Sequence, residues 1–181
     1  YNVQNSRVLK AHLEDFANYK HIVSRYDNLG KLVYEVQDKL QEFLKEKNER
    51  AIVIADDSGL CVDALDGRPG VYSARYAGNH DVKAARAKLL EELEGAQNRD
   101  AYYECVLVAI LQSGEVVSAD GKTYGYITDR EYGTTDFGFD RLFFSYDLNK
   151  PFGHATDEER NSISHRGRAL SALKEKLSEK I

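Results

Sequence analysis

Apolar residues recur at three- and four-residue spacings along two stretches of this chain, and each stretch predicts an amphipathic helix. Between Lys31 and Lys47 they are Leu32, Val33, Val36, Leu40, Phe43 and Leu44, with charges between them. Between Lys83 and Leu93 the predicted apolar face is Ala84, Ala87, Leu90 and Leu93. A looser spacing of Val8, Ala11, Leu13, Phe16 and Ala17 predicts a helix from Arg7 to Tyr19, and His21-Ile22-Val23-Ser24 a short strand. A polar turn follows around Asp27-Asn28-Leu29-Gly30, and Gly67-Arg68-Pro69-Gly70 reads as a turn or rigid loop. Tyr102 to Leu111 is rich in aromatic and β-branched residues, and Gln112-Ser113-Gly114 separates it from Glu115 to Ala119, which predicts an antiparallel hairpin. Tyr124 to Thr128 and Leu142 to Ser145 read as further strands. Thr156-Asp157-Glu158-Glu159 has capping-box spacing and starts a short helix, and a last helix runs from His165 to about Lys180. Helices alternating with strands and a meander in the middle predict an α/β fold, a mixed sheet with flanking helices.

The run Ala51-Ile52-Val53-Ile54 feeds directly into Ala55-Asp56-Asp57-Ser58-Gly59-Leu60, which puts two carboxylates and a hydroxyl at the expected C-terminal end of a strand. Open α/β sheets carry their ligands there. Asp is depleted from strands and costly to bury unpaired, so a cation, in the sharpest case a hydrated divalent metal, would face at least one of these acids. The other reading is that both only shape the turn before Gly59; the motif alone leaves the two open.

With 181 residues the chain is long enough for one well-buried core and short for two independent domains, so a single domain is expected over 1–181. A formal net charge of -5 excludes the electrostatic footprint of a duplex nucleic-acid binder or a protein bound to an anionic membrane. Cys61 and Cys105 sit among apolar neighbours and are expected to be small buried side chains, which suits a reducing cytoplasm. There is no apolar run of bilayer-spanning length and no signal-peptide pattern, so a soluble, cytoplasmic protein is expected.

Three further tracts carry chemistry. In Ser162-Ile163-Ser164-His165-Arg166-Gly167-Arg168, Ser164 is placed to cap a helix whose first turn holds His165, Arg166 and Arg168, where the helix dipole repels cations by about 0.3 to 1 kcal/mol each. An anion or a row of ligand acceptors in front of the helix accounts for this, and so does a solvated face. Asp136-Phe137-Gly138-Phe139-Asp140 sets two aromatics around a glycine, either as a platform for a flat ligand with Asp140 as acceptor, or as a tight turn with two core phenylalanines. The third is Gly70-Val71-Tyr72-Ser73-Ala74-Arg75-Tyr76-Ala77-Gly78, in which Arg75 is either a phosphate contact or a surface residue.

Ala-Asp-Asp-Ser-Gly-Leu, Gly-Arg-Pro-Gly-Val-Tyr-Ser-Ala-Arg-Tyr, Phe-Gly-Phe-Asp and Ile-Ser-His-Arg-Gly-Arg-Ala-Leu, in that order, make the chain resemble the inosine triphosphate pyrophosphatase family over roughly Glu35 to Leu170. The resemblance implies an elongated, two-lobed α/β fold with the active site in the cleft between lobes, a homodimer, and metal-dependent hydrolysis of ITP, dITP and XTP to the monophosphate and pyrophosphate. By match to the family's motifs Asp57 is the catalytic carboxylate and a metal ligand, Glu35 the second ligand, and Mg²⁺ the metal. The same match gives Ser58, Phe137, Gly138, Phe139, Asp140, Arg160, His165 and Arg166 to the substrate, with Arg160 at a lysine position of the family. His165 and Arg166 would donate to the 6-oxo edge of hypoxanthine or xanthine, where adenine presents an amino donor.

The chain departs from the family at its start: the opening strand and the loop Thr-Gly-Asn-x-x-Lys are missing, and there is no Met. Asn2-Val3-Gln4-Asn5-Ser6-Arg7 stands in their place, so Arg7 either substitutes for the phosphate-binding lysine or is a helix-start residue. Retained Glu35 and Asp57 favour an enzyme; the missing lysine favours a nucleotide-binding module with impaired turnover.

Overall fold

The computed structural model describes residues 53–78, 80–111 and 115–180. The helices expected over 7–19 and 31–47, the strand at 21–24, the hairpin turn at 112–114, and with them Arg7 and Glu35, lie outside the described residues. The elements are β1 (Val53–Val62), β2 (Pro69–Gly70), α1 (Val82–Glu92), β3 (Asp100–Ile110), β4 (Val116–Ile127), β5 (Phe143–Ser145), β6 (Lys150–Pro151), α2 (Asp157–Ser162) and α3 (His165–Ser178). The strands form a six-stranded sheet in the order β2-β1-β3-β4-β5-β6, antiparallel at β1/β2, β4/β5 and β5/β6. This is the α/β class that the hydrophobic pattern predicts.

Two strands differ from expectation. The double Asp does not end β1, because Leu60 pairs with Gly70 and Cys61 with Pro69, and Leu60 and Val62 enter the core. The acids therefore lie within a strand and shape no turn. Likewise Asp120 and Gly121 do not break β4: burial alternates from Ala119 to Ile127 with a period of two, and Gly121 falls on the inward face. A polar residue and a glycine look like a break only when their parity is ignored.

The helix ends follow local chemistry. Asp81 caps α1 by accepting from the Ala84 amide at 2.9 Å, which contributes about 1 kcal/mol. Its buried residues are Ala85, Arg86, Leu89 and Leu93; of the predicted face Leu93 is buried and Leu90 packs against the core, whereas Ala84 and Ala87 are exposed. The Thr156 and Glu159 side chains cap α2 reciprocally, at 3.2 and 2.8 Å. Ser164 Oγ accepts from the Gly167 amide at 3.0 Å, as its position before α3 predicts.

The chain divides into two compact units. One comprises residues 58–105 and 121–168, and its core joins Leu60 and Val62 of β1, Leu89 and Leu93 of α1, Tyr103 of β3, Ile127 of β4, and Phe143 and Phe152. The other comprises 1–57, 106–120 and 169–181; in it Leu107, Ala109, Val117, Ala119, Ala169 and Leu173 are buried, and Lys176 donates to the Ser118 carbonyl at 2.7 Å. Both cysteines are buried, as expected. No helix of the described residues is long and apolar enough to cross a membrane.

Candidate active site

A cavity of about 420 Å³ opens in the unit formed by 58–105 and 121–168. One wall is β1 at Ser58, Gly59 and Leu60, closed against the turn that follows β2. A Cβ on Gly59 would come within 2.1 Å of the Gly70 carbonyl oxygen, so only glycine allows this approach. Ser73 fastens the turn: its hydroxyl donates to the Gly70 carbonyl at 2.6 Å and accepts from the Leu60 amide at 2.9 Å. The opposite wall is the loop Asp136-Phe137-Gly138-Phe139, and the start of α3 adds His165 and Arg166.

The two phenylalanines of that loop differ in exposure, although both line the cavity. Phe139 is 3% exposed, packs edge-on to Tyr76 at 6.4 Å and belongs to the core. Phe137 is 65% exposed and lines the cavity. Gly138 between them has φ 48°, a left-handed conformation that lets the chain turn one ring inward and leave the other open.

Behind the loop Asp140 is buried, and its carboxylate accepts from the Tyr103 hydroxyl at 3.2 Å. Burial pushes the Asp140 carboxyl up to about 6, although the Arg160 guanidinium and the Tyr103 hydrogen bond both favour its ionised form. Burial also raises the Tyr103 phenol well above its ordinary value, with the Asp140 charge beside it acting the same way. Tyr103 lines the cavity and stacks on His165. Burial first, then the neighbouring Arg166 charge, lowers His165 to about 4, so its imidazole is neutral at physiological pH. A neutral imidazole offers one donor and one acceptor. That is a group suited to a polar ligand edge, and it removes one of the three cations expected in the first turn of α3.

The other two cations part ways. Arg166 is exposed on the cavity wall, whereas Arg168 turns aside to donate to the Lys122 carbonyl at 2.7 Å and to pair with Asp147 at 3.0 Å. Arg160 is not on the cavity wall; it lies 3.8 Å from Asp140, donates to the carbonyls of Phe152 and Ala155 at 3.3 Å, and pairs with Asp157. Arg75 sits over the Tyr72 ring at 4.8 Å, also off the cavity wall. Asp57 is half-buried in β1, directly before Ser58, which lines the cavity. The donors at Asp56 and Asp57 are hard carboxylate oxygens, the type a Mg²⁺ ion takes. Among the described residues no three His, Cys, Asp or Glu side chains are grouped to hold a metal.

Sequence reasoning passed over Tyr103, Arg86 and Arg141. Tyr103 reads as one more aromatic in a strand, and nothing local points to Asp140, 37 residues away. Arg86 carried a signal: an arginine between Ala85 and Leu89 on a helix is a charge on the packed face.

A family model described as the Ham1 family matches residues 5–176. The chain is 46% identical over 148 residues to a dITP/XTP pyrophosphatase of Clostridium perfringens, covering 80% of this chain and 72% of that protein. It is 46% identical over 127 residues to a dITP/XTP pyrophosphatase of Leuconostoc mesenteroides, covering 69% of this chain and 63% of the relative. Among solved structures, the Ham1 protein of Staphylococcus aureus superposes with a TM-score of 0.69 at 39% identity, over 75% of this chain and 71% of that one. A nucleoside-triphosphatase, dITP/XTP pyrophosphatase, of Mycobacterium abscessus superposes with a TM-score of 0.62 at 37% identity, over 74% and 70% of the two chains.

Proposed function

The chain belongs to the Ham1 family, and from that membership we propose that it hydrolyses the noncanonical purine nucleoside triphosphates ITP, dITP and XTP to monophosphate and pyrophosphate. The observation that carries this reading is one cavity lined by the exposed ring of Phe137, the neutral imidazole of His165 and the guanidinium of Arg166. Stacking on Phe137 supplies about 1 to 3 kcal/mol for any base. Donors from His165 and Arg166 then select a 6-oxo purine, because adenine would set an amino group against them and leave both sides unpaired. Asp140, held ionised by Tyr103 and Arg160 against the cost of its burial, accepts from the ring N–H.

Asp57, Glu35 and Ser58 serve the triphosphate in this reading. Asp57 and Glu35 hold Mg²⁺, which when bound neutralises charge on the phosphate oxygens. Asp57 also orients the attacking water and takes its proton, a task for a carboxylate within hydrogen-bond reach of that water. Arg7 and Arg75 are polyphosphate contacts. The protein works as a homodimer in the cytoplasm and binds neither nucleic acid nor membrane, a reading that its formal net charge of -5 supports.

Pyrophosphate release from ITP, XTP, GTP and ATP, each with Mg²⁺ and with chelator, tests the proposal. Release from ITP and XTP that chelation stops is the expected result. Equal release from ATP would overturn the assignment of His165 and Arg166.

A further inference from the structure

Arg86 is a charged side chain that helix α1 buries, with only 3% of it exposed. Removing a guanidinium from water costs several kcal/mol unless it is paired, and here two of its nitrogens are hydrogen-bonded and the third faces a carboxylate, all on the segment 131–138. Nε binds Glu131 at 2.8 Å, Nη1 donates to the Gly138 carbonyl at 3.1 Å, and Nη2 lies 3.6 Å from Asp136. Arg141 grips the same segment: it pairs with Asp136 at 2.8 Å and Glu131 at 3.2 Å, and donates to the carbonyls of Thr135 and Thr134 at 2.7 and 2.9 Å. Two guanidiniums and two carboxylates thus alternate in a closed ring. Burial works against the charge of Glu131, but the hydrogen bonds from Arg86 and Arg141 outweigh it and hold that carboxyl below its ordinary value.

Phe137 stands between Asp136 and Gly138, both of which Arg86 engages. With 65% of its surface open, it owes its position to little packing of its own. The ring of charges also borders a groove open to solvent, and the Asp136 side chain is 80% exposed, so salt can reach it.

We propose that Arg86, together with Arg141, is a positioning residue for base binding: through Glu131, Asp136 and the Gly138 carbonyl it fixes Phe137 on the cavity wall without touching the nucleotide. This rests on the reading of Phe137 as the surface on which the base stacks.

The chain contains no tryptophan, so Phe137→Trp introduces a single indole at the tip of the loop. Its fluorescence anisotropy and acrylamide quenching, measured without nucleotide, report on the clamp alone. Adding Arg86→Leu is expected to lower the anisotropy and raise the quenching constant about twofold, a loosening that Arg86→Lys reverses only in part, because lysine keeps the charge and loses the fork. With Phe137 restored, Arg86→Leu is expected to raise KM for ITP about tenfold and change kcat less than about twofold. An indole equally immobile in folded Arg86→Leu overturns the proposal. A loosened indole with unchanged KM overturns the stacking role of Phe137 instead, and leaves the clamp established as a property of the loop. Should Arg86→Leu fail to fold by circular dichroism, Arg141→Leu and Asp136→Asn, both at more exposed positions, take its place in the same measurements, and an immobile indole or an unchanged KM there has the same meaning.

Discussion

Tyr103 lies flat against His165, with ring centroids 5.2 Å apart and planes 16° from parallel. The same residue donates its hydroxyl to Asp140 at 3.2 Å, so one buried side chain of β3 braces an imidazole on α3 and a carboxylate behind the base loop. The ring also contacts Phe143 and Phe152, at 4.8 and 6.1 Å, which leaves it no freedom to follow a ligand.

Tyr103→Phe keeps the stack and deletes the hydrogen bond. The Asp140 carboxyl, near 6 with that bond, then moves higher. The acid limb of kcat/KM for ITP, which reports ionisation of Asp140 in the free enzyme, is expected to shift to higher pH by up to about one unit. A pH-rate profile from pH 5 to 9 checks this, and an unmoved limb would mean that Asp140 is not the acceptor for the base.

Asp140 and His165 oppose each other in the dependence of stability on pH. Asp140 has a folded value raised to about 6 from 3.8, so the stability linked to it is full at low pH and is lost as pH rises through 6. His165 has a folded value lowered to about 4 from 6.5, so the stability linked to it is full above 6.5 and is lost as pH falls through 4. Each change amounts to about 3 kcal/mol, and between pH 7 and pH 4 the two nearly cancel. Asp140→Asn removes one side of the balance. Urea midpoints are expected to fall further between pH 7 and pH 4 in this variant than in the parent, and less far in His165→Gln.

Phe137→Ala and Phe139→Ala separate the ligand surface from the core. Phe139, packed on Tyr76 and 3% exposed, is expected to cost about 3 to 5 kcal/mol of stability on truncation. Phe137, 65% exposed, is expected to leave the melting temperature within about 2 °C and to raise KM for ITP about tenfold or more. Thermal unfolding and steady-state kinetics on the two variants decide it.

What could be read from the sequence was mostly what is local. The reciprocal cap of Thr156 and Glu159 spans three residues and appears as expected. On α1 the predicted Leu90 and Leu93 do meet the core and Ala84 and Ala87 do not, because the alanines give no contrast between sides and Arg86 occupies a core position that a hydrophobic count skips. β1 runs past the double Asp because its register is set by pairing with β2, a tertiary relationship that the run Ile52-Val53-Ile54 does not contain. The clamp on the base loop joins residues 45 and 52 positions apart, Arg86 to Glu131 and to Gly138, and such pairs become visible only once the chain has folded.

Asp57→Asn tests the remaining assignment, the carboxylate of β1. Asparagine matches aspartate in size, keeps one carbonyl oxygen and loses the charge, so β1 should retain its pairing and Ser58 its place on the cavity wall. If Asp57 takes the proton of the attacking water and helps to hold the metal, kcat for ITP is expected to fall about 10³-fold or more, since both proton transfer and charge neutralisation are lost together. Affinity for the base end of the substrate, measured with IMP, is expected to change less than about twofold, because Phe137, His165 and Arg166 are untouched. Chelation in the parent should reproduce the loss of kcat, and adding chelator to Asp57→Asn should then do little more, since both act on one group. Full turnover in the variant would remove Asp57 from the reaction and turn attention to Asp56, the neighbouring acid of β1.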